Sequence, residues 1–275
     1  MTRFRTLYAI GVALLGMAAV SGCKLHNTND YEKLMERYMN KYGEVTLGDS
    51  KDAKLYAMGG ATFANSDVSE LSIDWVSGTV TIEAYDGTEV VISESTDDVL
   101  TDSTTMHYYL EPDGTLNVKY GIPGMKNQGS NLPNKHLLVR VPRSMRLDDV
   151  EVNGVGQSIQ MDSVCCSKLE MNSVTRQITL NECEIEEVEV NSVSTNMEAT
   201  FSKMPRKMEL NNVSGATALY VPEDAGITLE MESLVSDFHS ELPVASKGKK
   251  KIIGLGACKI ECNSLSGNLA IKVKK

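Results

Sequence analysis

The sequence predicts an all-β protein, a single-domain parallel β-solenoid of coils about 19–21 residues long, and three observations predict it. First, a six-residue pattern of apolar, Glu, apolar, Asn, small, Val recurs at Val150–Val155, Leu169–Val174, Val188–Val193 and Met208–Val213, with starts 19, 19 and 20 residues apart. Second, each unit holds another alternating stretch about nine residues on: Ile159-Gln160-Met161, Ile178-Thr179-Leu180, Met197-Glu198-Ala199 and Leu219-Tyr220-Val221. Third, these runs are short and of period two, so a single unit cannot bury its apolar side, whereas stacked copies place equivalent residues in columns and close a shared core. Helical repeats would need sustained apolar spacing of three and four, and leucine-rich repeats their leucine spacing; neither is present.

Parity fixes the shape of a coil. If Val150 and Val152 point inward, then Val155, Ile159, Met161 and Val164 share that core only if the chain bends near Asn153-Gly154 and again near Val164. Asparagine suits such a bend, because it tolerates the left-handed conformation and its amide both donates and accepts. Asn153, Asn172, Asn191, Asn211 and Asn263 are therefore expected to stack as a structural ladder and not to hold a ligand. A fifth copy, Leu229–Leu234, carries Glu232 in the asparagine column, and a sixth, Ile260–Leu265, follows after a longer interval.

At the start of the chain, Arg3 and Arg5 precede an apolar run from Leu7 to Val20, too short for a comfortable membrane span, which ends in Val20-Ser21-Gly22-Cys23. This resembles a bacterial lipoprotein signal. The resemblance implies removal of residues 1–22 and lipidation of Cys23, and two or three acyl chains at roughly 0.8 kcal/mol per buried methylene hold a protein stably at a membrane. Removing that segment takes two of the 27 basic residues and none of the 37 acidic ones, leaving a mature net charge of −12. Nucleic acid and anionic headgroups are poor partners for such a body.

Residues 24–28 read as a polar tether, and Asn29 to Gly43 as a helix, with Asn29 as cap, Gly43 as stop and an amphipathic body at about 30–42. Tyr31, Leu34, Met35, Tyr38, Met39 and Tyr42 share one face, which suits plugging the open end of the solenoid, lying on the membrane beside the anchor, or binding a partner. Residues 23–65 thus form a lipidated tether, with 44–65 as a linker, and 66–275 the solenoid domain. From Leu71 onward every strong signal is β, including a hairpin around Pro112-Asp113-Gly114; residues 121–136 read as a loop.

The stretch Leu71-Ser72-Ile73-Asp74-Trp75-Val76-Ser77-Gly78-Thr79-Val80-Thr81-Ile82, the strand Leu137–Pro142, the repeated Asn-Ser-Val units and the closing Ser264-Leu265-Ser266-Gly267-Asn268-Leu269 resemble the putative-adhesin family of bacterial envelope β-solenoids, a domain of unknown function. The resemblance spans roughly residues 65–273 and implies surface display with no established ligand.

Motifs for catalysis are missing. There is no Gly-x-Ser-x-Gly elbow, phosphate loop or His-Glu-x-x-His, and His26, His107, His136 and His239 are scattered. The acidic run Glu182, Glu184, Glu186, Glu187 and Glu189 lacks the loop that builds a calcium cage, so it reads as a solvated face, as Lys247, Lys249, Lys250 and Lys251 read as a polar loop. No metal or cofactor is expected. Among the cysteines, Cys258 and Cys262 lie about 13 Å apart along one strand and cannot pair, while a Cys165–Cys183 bridge between adjacent coils stays open.

These features point to a lipid-anchored protein of the cell membrane facing the extracytoplasmic side. It would act without catalysis, as an adhesin-like surface binder of an unknown protein or glycan on a solenoid face, or as a structural envelope protein. The alternatives are an envelope-stress sensor or regulatory partner and, less favoured, a polysaccharide-active β-helix enzyme, which would need a basic groove where the rows here are acidic.

Overall fold

The computed structural model describes residues 50–124, 132–174, 176–235 and 237–275. Its regular structure is β throughout, apart from short 3-10 turns at Ser50–Leu55 and Asn65–Asp67. No helix among the described residues is long and apolar enough to cross a membrane. The expected signal segment, Cys23 and the helix at 30–42 lie outside the described residues.

The alternating runs of each repeat form two sheets joined at a bend. On the first, Leu71, Val150, Leu169, Val188, Met208, Ile260 and Leu229 stand in parallel register on successive strands. On the second, Val80, Ile159, Ile178, Met197, Thr217 and Leu269 do the same. All the apolar members of both columns are buried, in one continuous core that also takes Cys166, Cys183, Cys258 and Cys262. Long strands pass from one sheet into the other: Lys207–Val221 and Cys258–Val273 pair along both.

The stacking order departs from chain order at both ends. Strand Cys258–Val273, the sixth copy, lies directly on Lys207–Val221, and the fifth copy, Ile227–Val235, stacks outside it. The segment between them makes this possible. Val244–Lys247 and Lys250–Ile253 form an antiparallel hairpin on Ile227–Val235, so the chain leaves the stack, turns, and re-enters one level further in. At the other end Glu70–Trp75 is held between Leu147–Val155 and Thr115–Lys119. The first sheet therefore has eight parallel levels among the described residues, about 34 Å at ~4.8 Å each.

Antiparallel strands close both edges of this sheet. His107–Leu110 pairs with Thr115–Lys119 across the Pro112-Asp113-Gly114 turn, and Ala57–Met58 adds outside it. At Gly114, with φ of 93°, a Cβ would stand 2.5 Å from Ser69 Oγ, so this turn requires glycine. Residues 44–65, read as a linker, instead contribute two short strands, Ala57–Met58 and Ala61–Ala64, the latter on the edge of Glu89–Ser95. Strands of two and four residues are too brief for periodicity to register.

Candidate functional site

The polar residues that the repeats align meet at the bend of the first sheet. Asn172 Nδ2 donates to Asn153 Oδ1 (3.2 Å), Asn191 to Asn172 (2.9 Å), Asn211 to Asn191 (2.8 Å) and Asn263 to Asn211 (2.9 Å). Every amide points the same way. The series ends on an anion, because Asn153 Nδ2 donates to Asp74 Oδ1 at 3.2 Å, and the other Asp74 oxygen accepts from Lys119 Nζ at 2.6 Å. Aligned amide dipoles polarise one another, so a carboxylate at the accepting end and an ammonium beyond it complete the chain. Burial works against the Lys119 charge, yet the Asp74 carboxylate outweighs it and holds this lysine above its ordinary range.

Two residues before each asparagine stands a glutamate, and Glu151, Glu170, Glu189, Glu209, Glu261 and Glu230 occupy adjacent levels in register. Like charges at strand spacing repel by about 3 kcal/mol per pair at an effective dielectric constant near 20, and the structure offsets this locally. The second amide hydrogen of Asn172 goes to Glu170 and that of Asn191 to Glu189, each at 2.9 Å. Lys168 meets Glu170 at 2.7 Å, Lys207 meets Glu209, and Lys250 meets Glu230 at 2.5 Å. The balance differs along the column. At Glu170, burial favours the neutral acid but Asn172 and Lys168 prevail, so its carboxyl sits below its usual range. At Glu151, burial is joined by Glu170 and Asp74, and the carboxyl is pushed up to about 7.

The acidic run is neutralised by cations from other levels. Glu182 meets Lys274 at 2.6 Å, Arg146 reaches Glu186 at 2.7 Å and Glu184 at 3.6 Å, and Arg206 meets Glu187. Such exposed pairs contribute little each. Among the described residues no group of three His, Cys, Asp or Glu is placed to hold a metal. His107 rests on the Thr105 carbonyl and His136 on the Thr79 hydroxyl, so each ring is held by a different strand or turn. Of the lysine run, Lys250 is taken by Glu230 and Lys251 lies 5.2 Å over the Phe238 ring.

Cys165 and Cys183 are both free thiols. Their chain neighbours explain why: Cys165 is level with Glu184 on the outer surface, whereas Cys183 points into the core, so the two sulfurs lie on opposite sides of the strand. Burial pushes the Cys183 thiol up to about 11 and that of Cys258 to about 12. Both behave as apolar core residues.

One polar centre carried no sequence signal. Lys135 is fully buried, with Nζ on Glu94 Oε2 (2.6 Å), the Thr104 carbonyl (2.6 Å) and the Tyr120 carbonyl, and over the rings of Trp75 (4.7 Å) and Tyr120 (4.1 Å). All three ammonium hydrogens are used, and the aromatic faces supply the rest of its surroundings. Lys135 and Glu94 are 41 residues apart and outside the repeats, which is why no spacing betrays them.

Parallel levels in register, an internal asparagine chain and outer rows of like residues define a β-solenoid-like repeat protein. The chain belongs to the Toastrack DUF4097 family, whose model matches it twice, over residues 68–203 and 143–272. Among solved structures it is similar to a putative cell adhesion protein from Clostridium sporogenes ATCC 15579, at 12% identity and a TM-score of 0.47, covering 79% of this chain and 100% of that one. It is also similar to a putative adhesin from Bacteroides fragilis NCTC 9343, at 10% identity and a TM-score of 0.30, covering 79% and 97%. A putative lipid binding protein from Parabacteroides distasonis ATCC 8503 aligns at 18% identity and a TM-score of 0.28, covering 78% and 96%. No curated protein matches the chain.

Proposed function

We propose that this protein is anchored by lipid on Cys23 at the extracytoplasmic side of the cell membrane and acts there without catalysis, as an adhesin-like or structural envelope protein that binds a protein or glycan along its solenoid. The observation that carries the binding reading is the outer face of the first sheet, where one polar pattern repeats level after level. Catalysis needs a nucleophile, a base and an orienting group around one reacting atom. Here carboxylates stand in a row, several tied to an adjacent lysine or asparagine. Extended repetition suits many weak contacts with an extended partner. The anchor rests on the apolar run ending in Val20-Ser21-Gly22-Cys23.

Two measurements test this. Cys23→Ala should release the full chain from washed membranes or block its maturation, and a variant that stays bound and matures normally removes the anchor from the proposal. Against a panel of envelope proteins and neutral and acidic glycans, charge reversal at Glu189 or Glu261 should each weaken or strengthen binding a few-fold, with neither abolishing it. Reproducible glycan cleavage that disappears with one carboxylate substitution would overturn the non-catalytic reading.

A further inference from the structure

Beside the asparagine ladder, one residue further along each strand, runs a second column in register: Gly154, Ser173, Ser192, Asn212 and Ser264. It lies inside the bend, between the two sheets. At the first level the side chain is supplied from across the bend by Gln157, which is 0% exposed and whose amide lies over Gly154; a Cβ on that glycine would stand 2.4 Å from Gln157 Nε2. Gln157 Nε2 and Oε1, Ser173 Oγ, Asn212 Oδ1 and Ser264 Oγ are all buried, and none has a protein hydrogen-bond partner among the described residues. Asn212 is satisfied at one end only, where Nδ2 donates to the Thr195 carbonyl at 3.2 Å. A small cleft with Ser192, Thr195, Asn212 and Thr217 in its lining opens at the same place.

Five orphaned polar atoms in a dry interior would together cost a sum comparable to the net stability of a whole domain. The spacing indicates how they are satisfied. Adjacent levels lie about 4.8 Å apart, too far for one short hydroxyl to reach the next. The asparagine amides close that gap directly because they are longer. A tetrahedral water making two hydrogen bonds of about 2.8 Å spans about 4.6 Å, which matches one level. Buried water takes two to four polar partners, and the serine hydroxyls and the Gln157 amide of this column can both donate and accept.

We propose that a file of ordered internal water threads the bend from Gln157 through Ser173, Ser192 and Asn212 to Ser264, bridging one level to the next as the asparagine ladder does beside it. The test uses the full chain. Water-selective NMR should find direct cross-relaxation between long-lived water and the Gln157 side-chain amide. Gln157→Met, which keeps the shape and removes the polar atoms, should lower the urea midpoint because it strands the water on Ser173. Ser173→Ala should lower it too, and the double variant should lose less than the sum, since both act on one network. A dry column predicts the opposite: removing an orphaned amide raises the midpoint. A raised or unchanged midpoint in Gln157→Met, additive losses, or an amide without water contact would overturn the proposal. If Gln157→Met does not fold, Ser173→Ala and the water contact of the unsubstituted protein decide it.

Discussion

Substituting Asn191 by Ala should cost several times more than the same change at Asn263, although both hold the same place in the repeat. Asn191 makes three side-chain hydrogen bonds: it donates to Asn172 at 2.9 Å and to the Glu189 carboxylate at 2.9 Å, and accepts from Asn211 at 2.8 Å. At about 1 kcal/mol net per bond the loss is ~3 kcal/mol. Solvent reaches this half-buried level and repairs part of it, so the expected cost is about 2–3 kcal/mol. Asn263 is exposed and donates one ladder bond, to Asn211, so its removal should cost only about 0.5–1 kcal/mol. Urea unfolding followed by circular dichroism reads the difference. With a slope of roughly 1–3 kcal/mol per molar, Asn191→Ala moves the midpoint by about 1 M. The slope must be compared as well, because repeat arrays can unfold in pieces and a reduced slope would signal local melting. Equal losses at the two positions, or none at Asn191, would refute the idea that the stabilisation comes from bonds between levels.

Two further perturbations probe the charged groups. Glu151 in the folded protein titrates near 7 against an ordinary 4.5, so between those values the native state holds the proton more tightly than the unfolded chain, and stability falls as pH rises through that window. Glu151→Gln should remove about 2 kcal/mol of this slope, discounted for partial exposure, and profiles of equal steepness between pH 4.5 and 8 for both proteins would contradict the assignment. Lys135→Met should destabilise by about 3–5 kcal/mol, because it leaves Glu94 and two carbonyls buried without their cation. Thermal unfolding measures it, and adding Glu94→Gln to that variant should recover part of the loss; an unchanged melting temperature in the single variant would mean that the ammonium contributes nothing net.

The period of the repeats was enough to read the core, since Val150, Leu169, Val188 and Met208 announce one column and Ile159, Ile178 and Met197 another. The recurrence of asparagine likewise marked a column. Its direction was not legible, because the acceptor that terminates it, Asp74, and the lysine behind it, Lys119, belong to strands outside the recognisable copies. Nor was the order of the last two levels. Leu229-Glu230-Met231 and Ile260-Glu261-Cys262 present the same alternation to Met208-Glu209-Leu210, so local pattern cannot choose between them; the hairpin of Val244–Lys247 and Lys250–Ile253 decides. Lys135 escaped for a different reason. A buried lysine looks like any surface lysine until Glu94, Trp75 and Tyr120 are brought around it by contacts distant in sequence.

Out-of-order levels change what kind of repeat protein this is. In a simple stack each unit touches only its sequence neighbours, so the ends fray first and stability is a sum taken from either end. Here Cys258–Val273 is bonded on both sides within the first sheet, by Lys207–Val221 and Ile227–Val235, and Glu70–Trp75 is likewise held between Thr115–Lys119 and Leu147–Val155. Each end level is thus tied inward by strands distant in sequence. Beyond them the antiparallel strands occupy the edges where another parallel copy would add, and one outermost strand, Val244–Lys247, has every residue exposed to solvent and ends in a lysine. Charged residues on an edge strand oppose pairing with a further chain. With extension along the stacking axis obstructed in this way, the long outer faces, where Glu151 to Glu230 repeat level after level, are the surfaces on which the proposed binding would have to occur.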